Sequence, residues 1–231
     1  SDTMVGRLAG KNAIVTGAAG YVYHVPELCL VDQGQREQLT RNDSGIGLET
    51  TILMLREGAS VLMTDISAAG LERAIAKVHE VVPQHDGRVE YRVVDVSKES
   101  EVEAAVAHLD AWGGLDVMFN NAGIMHPKGW RLGGDTGGNL GLDNEYQCQG
   151  GVVRVETRGQ EPAQTRQEEG SIINTASMVA LVGAATPQLA YTASKGAVLA
   201  MTRELAIVHA REGFRFNSLC PAPLKYVILI P

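Results

Sequence analysis

The chain has 231 residues, of which 45% are hydrophobic and 20% charged, a balance typical of a globular rather than a disordered protein. The net charge of −7, without a cluster of Lys and Arg, disfavours nucleic acid as the main partner. No apolar run reaches the roughly 18 residues of a membrane span, and the start carries no secretory signal, so we expect a cytoplasmic protein with no membrane partner.

The cysteines and histidines give no sign of a metal site or a disulfide framework. The three cysteines, Cys29, Cys148 and Cys220, are odd in number and far apart. The histidines are scattered without the spacing of metal ligands. We therefore expect a reducing compartment and no bound metal.

Short apolar, β-branched runs alternate with segments of helical periodicity along most of the chain. Strands are predicted over residues 12–16, 60–64, 88–94, 115–120, 171–175 and 214–219. Helices are predicted over residues 46–57, 68–82, 99–112 and 191–211. Continuously apolar strands separated by helices predict an α/β fold, a doubly wound parallel sheet of Rossmann type with helices on both faces.

Two segments interrupt this alternation, residues 20–43 and about 128–169. The first inserts 24 residues between a strand and a helix, and the second holds nine of the 26 glycines. Loops of this length without periodicity are uncommon in compact domains. We therefore treat both as anomalous segments of a single domain over residues 1–231.

A glycine-rich turn joins the first strand to the first helix once residues 20–43 are left out. The sequence TGAA at 16–19 then continues into SGIG at 44–47. Such turns use glycine for tight dihedral angles and for close approach of the backbone to a pyrophosphate at a helix N-terminus. The predicted cofactor-binding residues here are Gly17, Ser44, Gly45, Ile46 and Gly47.

Asp65 stands at the end of the second predicted strand. A carboxylate there can accept hydrogen bonds from the ribose of an adenosine and repels a 2′-phosphate, which favours NAD over NADP. The alternative is that Asp65 is only a turn or capping residue.

Five motifs together resemble the classical short-chain dehydrogenases/reductases. They are the joined turn TGAASGIG, DV at 95–96, NNAG at 120–123, Ser177 with YTASK at 191–195, and Pro221. The similarity spans most of residues 8–125, without the insert, and residues 170–221. It implies an NAD(P)-binding Rossmann domain and an oxidoreductase. The matching cofactor positions are Asp95, Val96, Asn120, Asn121, Ala122, Gly123, Tyr191, Lys195 and Pro221.

Tyr191 and Lys195 are four residues apart, so on a helix they share one face. A free tyrosine has a pKa of roughly 10, and a neighbouring ammonium lowers it by favouring the phenolate. Ser177, after the preceding strand, is placed to hydrogen-bond a substrate oxygen. The resemblance implies that these are the catalytic Ser, Tyr and Lys of a hydride-transfer enzyme that interconverts a secondary alcohol and a ketone.

The resemblance also implies a helix within the second anomalous segment, with a fourth catalytic residue, an asparagine, and much of a homo-oligomer surface. Shifted by one nucleotide, the codons of residues 141–154 permit VWTMNINVKGVWY, which resembles that helix. We infer translation out of frame there, and a retained intron at residues 20–43. Two genuine insertions are the alternative.

The family's last strand and substrate-covering helices are expected to be missing after Pro221, where Pro221-Ala222-Pro223 replaces Pro-Gly. The split glycine turn, the lost asparagine helix and this shortened end leave a second hypothesis open. In that hypothesis the chain is a catalytically impaired remnant, or a binding protein, with the same fold. The substrate is not indicated by the sequence beyond a small alcohol or carbonyl compound.

Overall fold

The computed structural model describes residues 6–20, 45–85, 87–123, 169–183 and 189–222. The strands are β1 (Asn12–Thr16), β2 (Ser60–Asp65), β3 (Val89–Val93), β4 (Val117–Asn120), β5 (Gly170–Thr175) and β6 (Phe214–Leu219). The helices are α1 (Ile46–Arg56), α2 (Ala68–Val81), α3 (Glu99–His108) and α4 (Leu189–Val208). Short 3₁₀ turns follow α3 at Leu109–Trp112 and β5 at Met178–Ala180.

The strands form one parallel sheet in the order β3-β2-β1-β4-β5-β6. This confirms the predicted α/β fold with a doubly wound sheet. The order reverses between β1 and β4, and in open sheets of this kind ligands bind beside the carboxyl ends of the strands at that point. The candidate residues after β1, β2, β4 and β5 are therefore expected at one edge of the sheet.

Side chains alternate strictly between two core clusters on the two faces of the central strands. In β1, Ala13 and Val15 belong to a cluster that packs against α1 and α2, whereas Ile14 belongs to one that packs against α3 and the end of α4. All five residues of β1 are buried. The period of two of a strand thus places helices on both faces.

The predicted strand 115–120 starts later in the structure, at Val117. Gly113 and Gly114 have φ of +94° and +97°, which turns the chain before the strand. The Asn12 side chain donates to the carbonyls of Trp112 and Gly114, at 2.9 and 2.8 Å. These hydrogen bonds hold the segment as a turn, so its apolar residues extend the core without extending the strand.

Nearly all of the anomalous segments 20–43 and 128–169 lies outside the described residues, as does the chain after residue 222. The reading-frame, splicing and chain-end hypotheses therefore remain predictions. In the ranges that are described, no helix combines the length and the apolar character needed to cross a membrane.

Candidate active site

The two halves of the glycine-rich turn meet in the structure. Gly17 has a φ of +64°, and a Cβ there would lie 2.9 Å from the Cα of Ala122. A Cβ on Gly47 would collide with the carbonyl of Gly17 and lie 2.9 Å from Nδ2 of Asn121. Only glycine fits at either position, because the obstacles include rigid backbone.

Helix α1 begins next to this contact. Gly45 is its N-cap, with extended backbone and no side-chain hydrogen bond at the cap. The first amides of a helix have no acceptor within the helix, so they are available to a ligand. Ile46 packs against the core cluster under α1, whereas Ser44 lies outside the described residues.

Thr16, which we did not predict from the sequence as a site residue, ties β1 to β4 at this edge. Its Oγ1 accepts hydrogen bonds from the amides of Asn121 and Ala122, both at 2.9 Å. In return, Asn121 Nδ2 donates to the carbonyls of Thr16 and Gly17, both at 3.2 Å. The only signal in the sequence is a hydroxyl residue at a strand end just before a glycine.

Asp65 lies beside the same turn. Its Oδ2 accepts from the amide of Ala19 at 3.1 Å, and its Oδ1 accepts from the amide of Ser67 at 3.0 Å. The hydrogen bond to Ser67 closes a local turn, as expected if Asp65 is a turn or capping residue. The bond to Ala19 spans 46 residues and places the carboxylate against the glycine turn, so the residue has both features.

Asp95 follows β3 and is held by local contacts. Its Oδ1 accepts from the hydroxyl and the amide of Ser97, at 2.7 and 3.0 Å, and Lys98 Nζ lies 3.7 Å from its Oδ2. The Ser97 hydrogen bonds, with the nearby ammonium, lower the pKa of Asp95. Val96 is half-buried against the core cluster under α3.

Lys195 and Tyr191 lie in the first turns of α4, as predicted from their spacing. Lys195 is only 6% exposed, and its Nζ donates to the carbonyl of Thr175 at 2.7 Å. The same Nζ lies 5.7 Å from the centre of the Tyr191 ring. A buried ammonium is therefore held next to a phenol at the carboxyl end of β5.

Ser177 lies two residues beyond Thr175. It is 7% exposed and caps the short 3₁₀ turn, accepting from the amide of Val179 at 3.4 Å. The next residue, Met178, donates its amide to the carbonyl of Pro221 at 3.0 Å. Ser177 and Pro221 thus sit where the ends of β5 and β6 meet, on the edge to which Lys195 is anchored.

A chain of buried polar side chains runs beneath α4. Asn120 Nδ2 donates to Asn174 Oδ1 at 2.8 Å, and Asn174 Nδ2 donates to Thr202 Oγ1 at 2.9 Å. Asn120 Oδ1 is buried and meets no hydrogen-bond partner within the described ranges. We did not predict Asn174 or Thr202 from the sequence as site residues, and Asn174 gives no distinct signal because Ser171 and Thr175 of the same strand are also polar.

The arrangement fits a dinucleotide. Gly17 and Gly47 leave the backbone accessible at a point where a side chain would collide. The first amides of α1 lie next to this point. A carboxylate at the end of β2 adjoins this turn, and a buried ammonium with a phenol follows on the other side of β4. Gly123 ends the described part of the NNAG segment and is half-buried at that edge.

Comparison with known proteins agrees with this geometry. A family model described as enoyl-(acyl carrier protein) reductase matches residues 40–228. Levodione reductase of Leifsonia aquatica is 33% identical over 194 residues, which cover 80% of this chain and 68% of that protein. The 3beta-hydroxysteroid dehydrogenase 2 of Eggerthella lenta is 33% identical over 192 residues, which cover 81% and 70%.

A solved structure extends the similarity to the fold. The crystal structure of a short chain dehydrogenase from Mycobacterium smegmatis matches with a TM-score of 0.71 at 27% identity, covering 96% of this chain and 80% of that one. The sequence motifs, the sheet order and the relatives all indicate one family. The chain belongs to the short-chain dehydrogenase/reductase family of oxidoreductases.

Proposed function

We propose that this protein interconverts a secondary alcohol and a ketone, with Tyr191 as the proton-transferring residue. The observation that carries the proposal is the buried ammonium of Lys195, fixed to the Thr175 carbonyl and 5.7 Å from the Tyr191 ring. The names of two relatives support the substrate class, since one is a reductase of a dione and the other a dehydrogenase of a hydroxysteroid.

The proton chemistry follows from that pair of side chains. A neighbouring positive charge favours the phenolate of Tyr191, so its oxygen can take the hydroxyl proton of an alcohol and return it to a forming alkoxide. In this proposal, Ser177 donates a hydrogen bond to the substrate oxygen and so orients it. When bound, a nicotinamide dinucleotide supplies or accepts the hydride.

We propose NAD rather than NADP as the cofactor. The support is Asp65, whose carboxylate is held beside the glycine turn by the amide of Ala19. A negative charge there suits a ribose diol as a hydrogen-bond donor and repels a 2′-phosphate. The proposed cofactor contacts are Gly17, Ser44, Gly45, Ile46, Gly47, Asp65, Asp95, Val96, Asn121, Ala122, Gly123, Tyr191, Lys195 and Pro221.

The test compares Tyr191→Phe with Tyr91→Phe. Tyr91 lies on the edge strand β3 and is 43% exposed, so its hydroxyl serves as a matched control. Turnover is followed by the absorbance of the reduced nicotinamide over a panel of alcohols and ketones, and binding of NADH and NADPH by titration calorimetry. We expect Tyr191→Phe to lose about 10²-fold or more in kcat while it still binds NADH, because the other proposed cofactor contacts remain.

Two results would overturn the proposal. One is full turnover by Tyr191→Phe, which would remove the residue from the chemistry. The other is NADH binding by the wild-type protein without turnover across the whole panel, which would favour a binding protein with the same fold. A preference for NADPH would overturn only the role of Asp65.

A further inference from the structure

We propose that Asn174 and Thr202 form a strut that positions Lys195 against Tyr191, and so make them positioning residues of the site. This inference rests on the proposed function. The strut is the hydrogen bond from Asn174 Nδ2 to Thr202 Oγ1, 2.9 Å long and fully buried. Asn174 is in β5, three residues before Ser177, and Thr202 is in α4, seven residues after Lys195.

Two polar contacts between described residues connect α4 to β5. Lys195 Nζ reaches the carbonyl of Thr175, and Thr202 Oγ1 receives the amide of Asn174. The two helix residues are seven positions apart, about 10 Å along the axis, while the two strand residues are consecutive. One contact alone would allow the helix to tilt and slide about it, whereas two contacts fix its position along the strand.

The strut is itself held in one orientation. Asn174 Oδ1 is occupied by Asn120 Nδ2, which leaves the amino group of Asn174 directed at Thr202. Thr202 Oγ1 donates to the carbonyl of Val198 at 2.7 Å, so its lone pairs face Asn174. Ser218 adds a weak contact at 3.4 Å.

Apolar packing alone does not explain these residues. Asn174 and Thr202 are each 2% exposed, and a buried amide is costly unless it is hydrogen-bonded. Hydrophobic contact is non-directional and tolerates small shifts of a helix. A directed hydrogen bond selects one register, which matters here because the helix carries both Tyr191 and Lys195.

Loss of the strut should therefore change the chemistry and not stability alone. If α4 shifts, the ammonium moves relative to the phenol and favours the phenolate less. The apparent pKa that governs kcat should rise, by about one unit, as a nearby charge is weakened. A misplacement on the ångström scale should also lower kcat about tenfold, with little change in the KM for substrate.

The experiment uses Thr202→Val, which keeps the shape and removes the hydroxyl, and Thr202→Ser, which restores it. Asn174→Ala removes the strut from the strand side. Ser218→Ala is the control, since it deletes the long 3.4 Å contact to Thr202 and leaves the hydrogen bond between Asn174 and Thr202 in place. We expect Thr202→Val and Asn174→Ala to give the same fall in kcat and the same rise in the apparent pKa, and Thr202→Ser and Ser218→Ala to resemble wild type.

The double variant makes the test specific to the pair. Asn174→Ala also removes the partner of Asn120, and Thr202→Val also removes the bond to Val198. Both changes share the loss of the Asn174–Thr202 hydrogen bond, so the parts of their effects on kcat and on the apparent pKa that come from this bond should not add. Additive effects, or a lower melting temperature with an unchanged pH profile per folded molecule, would overturn the strut. Tyr191→Phe, measured in parallel, reports on the proposed function separately, since it leaves the strut intact.

A readout without turnover completes the design. Crystal structures of Thr202→Val and Thr202→Ser give the distance from Lys195 Nζ to the carbonyl of Thr175. We expect that hydrogen bond to be broken in Thr202→Val and kept in Thr202→Ser. An intact bond in Thr202→Val contradicts the positioning role even if no substrate is ever found.

Discussion

Two regions meet at the carboxyl edge of the sheet and are built by opposite means. The glycine turn between β1 and α1 is shaped by missing side chains, since a Cβ on Gly17 or Gly47 would collide with backbone. The α4 region is shaped by buried polar side chains, with Lys195 and Thr202 each bonded to β5. The first region should fail by steric collision, and the second by loss of charge or hydrogen bonds.

The largest effect is expected from Lys195→Met, which tests the α4 region at its charge. The change keeps most of the side-chain volume but removes the ammonium beside Tyr191. We expect kcat to fall by about 10²–10⁴-fold and the pH at which turnover begins to rise. The measurement is kcat from about pH 6 to about pH 10, a range that extends from neutral pH to the pKa of a free tyrosine.

Lys77→Met is the matched control for that change. Lys77 lies on α2 with its ammonium 2.9 Å from Glu80 on the surface, and exposed pairs of this kind contribute little. Its pH profile should match wild type. A Lys195→Met profile that also matches wild type would contradict the proposed role of the ammonium.

Gly17→Ala tests the glycine turn, with Gly10→Ala as its control. Both glycines have positive φ, +64° and +73°, but only Gly17 has backbone within 3 Å of the added Cβ, while Gly10 has nothing within 4 Å. Gly10→Ala should cost about 1 kcal/mol for the dihedral angle alone. Gly17→Ala should cost about 2–4 kcal/mol, because overpacking adds to that.

Urea unfolding of the two variants gives the difference directly, and NADH titration shows whether affinity falls with it. Equal losses of stability at the two sites would mean that the turn relaxes away from Ala122. The close approach would then be incidental to the fold. Steric exclusion of side chains would then not be what shapes the glycine turn.

Asp65→Asn has a smaller effect and reports on the charge next to the glycine turn. The carboxylate accepts from both Ala19 and Ser67, and an amide can accept at only one of its two atoms. We expect a loss of about 1 kcal/mol in unfolding free energy. The ratio of NADPH to NADH dissociation constants should fall about tenfold, as the repulsion of a 2′-phosphate is removed.

Asp110→Asn, a change at an exposed carboxylate in the 3₁₀ turn after α3, is the control. It should leave both the stability and the cofactor ratio near wild type. If Asp65→Asn lowers stability but leaves the ratio unchanged, Asp65 is only a structural residue of the turn. The alternative interpretation raised from the sequence would then hold.

The contrast between the regions also explains what the sequence could predict. Strand and helix positions followed from apolar periodicity, and β1 and β6 match the predicted limits to the residue. The glycine turn with Gly17, Gly45 and Gly47 could be predicted because a turn that excludes side chains requires glycines at several nearby positions, and these are visible in the sequence. The contact between its halves across 30 positions needed the structure to confirm it.

Polar contacts across the sheet could not be predicted in this way. Thr16 bonds to residues about 105 positions later, and Asn174 to a residue 28 positions later. Which strands become neighbours decides these partners, and the strand order β1-β4-β5 is not written in either local sequence. Asn174 also looks like any polar residue at a strand end until α4 is placed above it.

The smallest effect is expected for an ion pair at the opposite end of the sheet. This pair distinguishes the pH dependence of stability from the pH dependence of turnover. Arg7 Nη2 lies 2.8 Å from Glu57 Oε1, and the Arg7 amide donates to Oε2 at 3.0 Å. The Arg7 side-chain hydrogen bond is the largest cause that lowers the pKa of Glu57 from 4.5 to about 2. A carboxyl group whose pKa is lower in the folded chain than in the unfolded chain stabilises the fold fully when the pH is above the unfolded-state pKa. This stabilisation is lost as the pH falls to the folded-state pKa.

Glu57→Gln should therefore be slightly less stable than wild type at pH 7, and the difference should shrink as the pH falls from about 4.5 towards about 2. Urea unfolding of both proteins at pH 7 and pH 3 measures it. Above pH 5 the difference should be constant, because Glu57 stays ionised in both the folded and the unfolded chain. A pH dependence of turnover between pH 6 and 10 then belongs to the α4 region, and a Glu57→Gln profile that departs from wild type in that range would break the assignment.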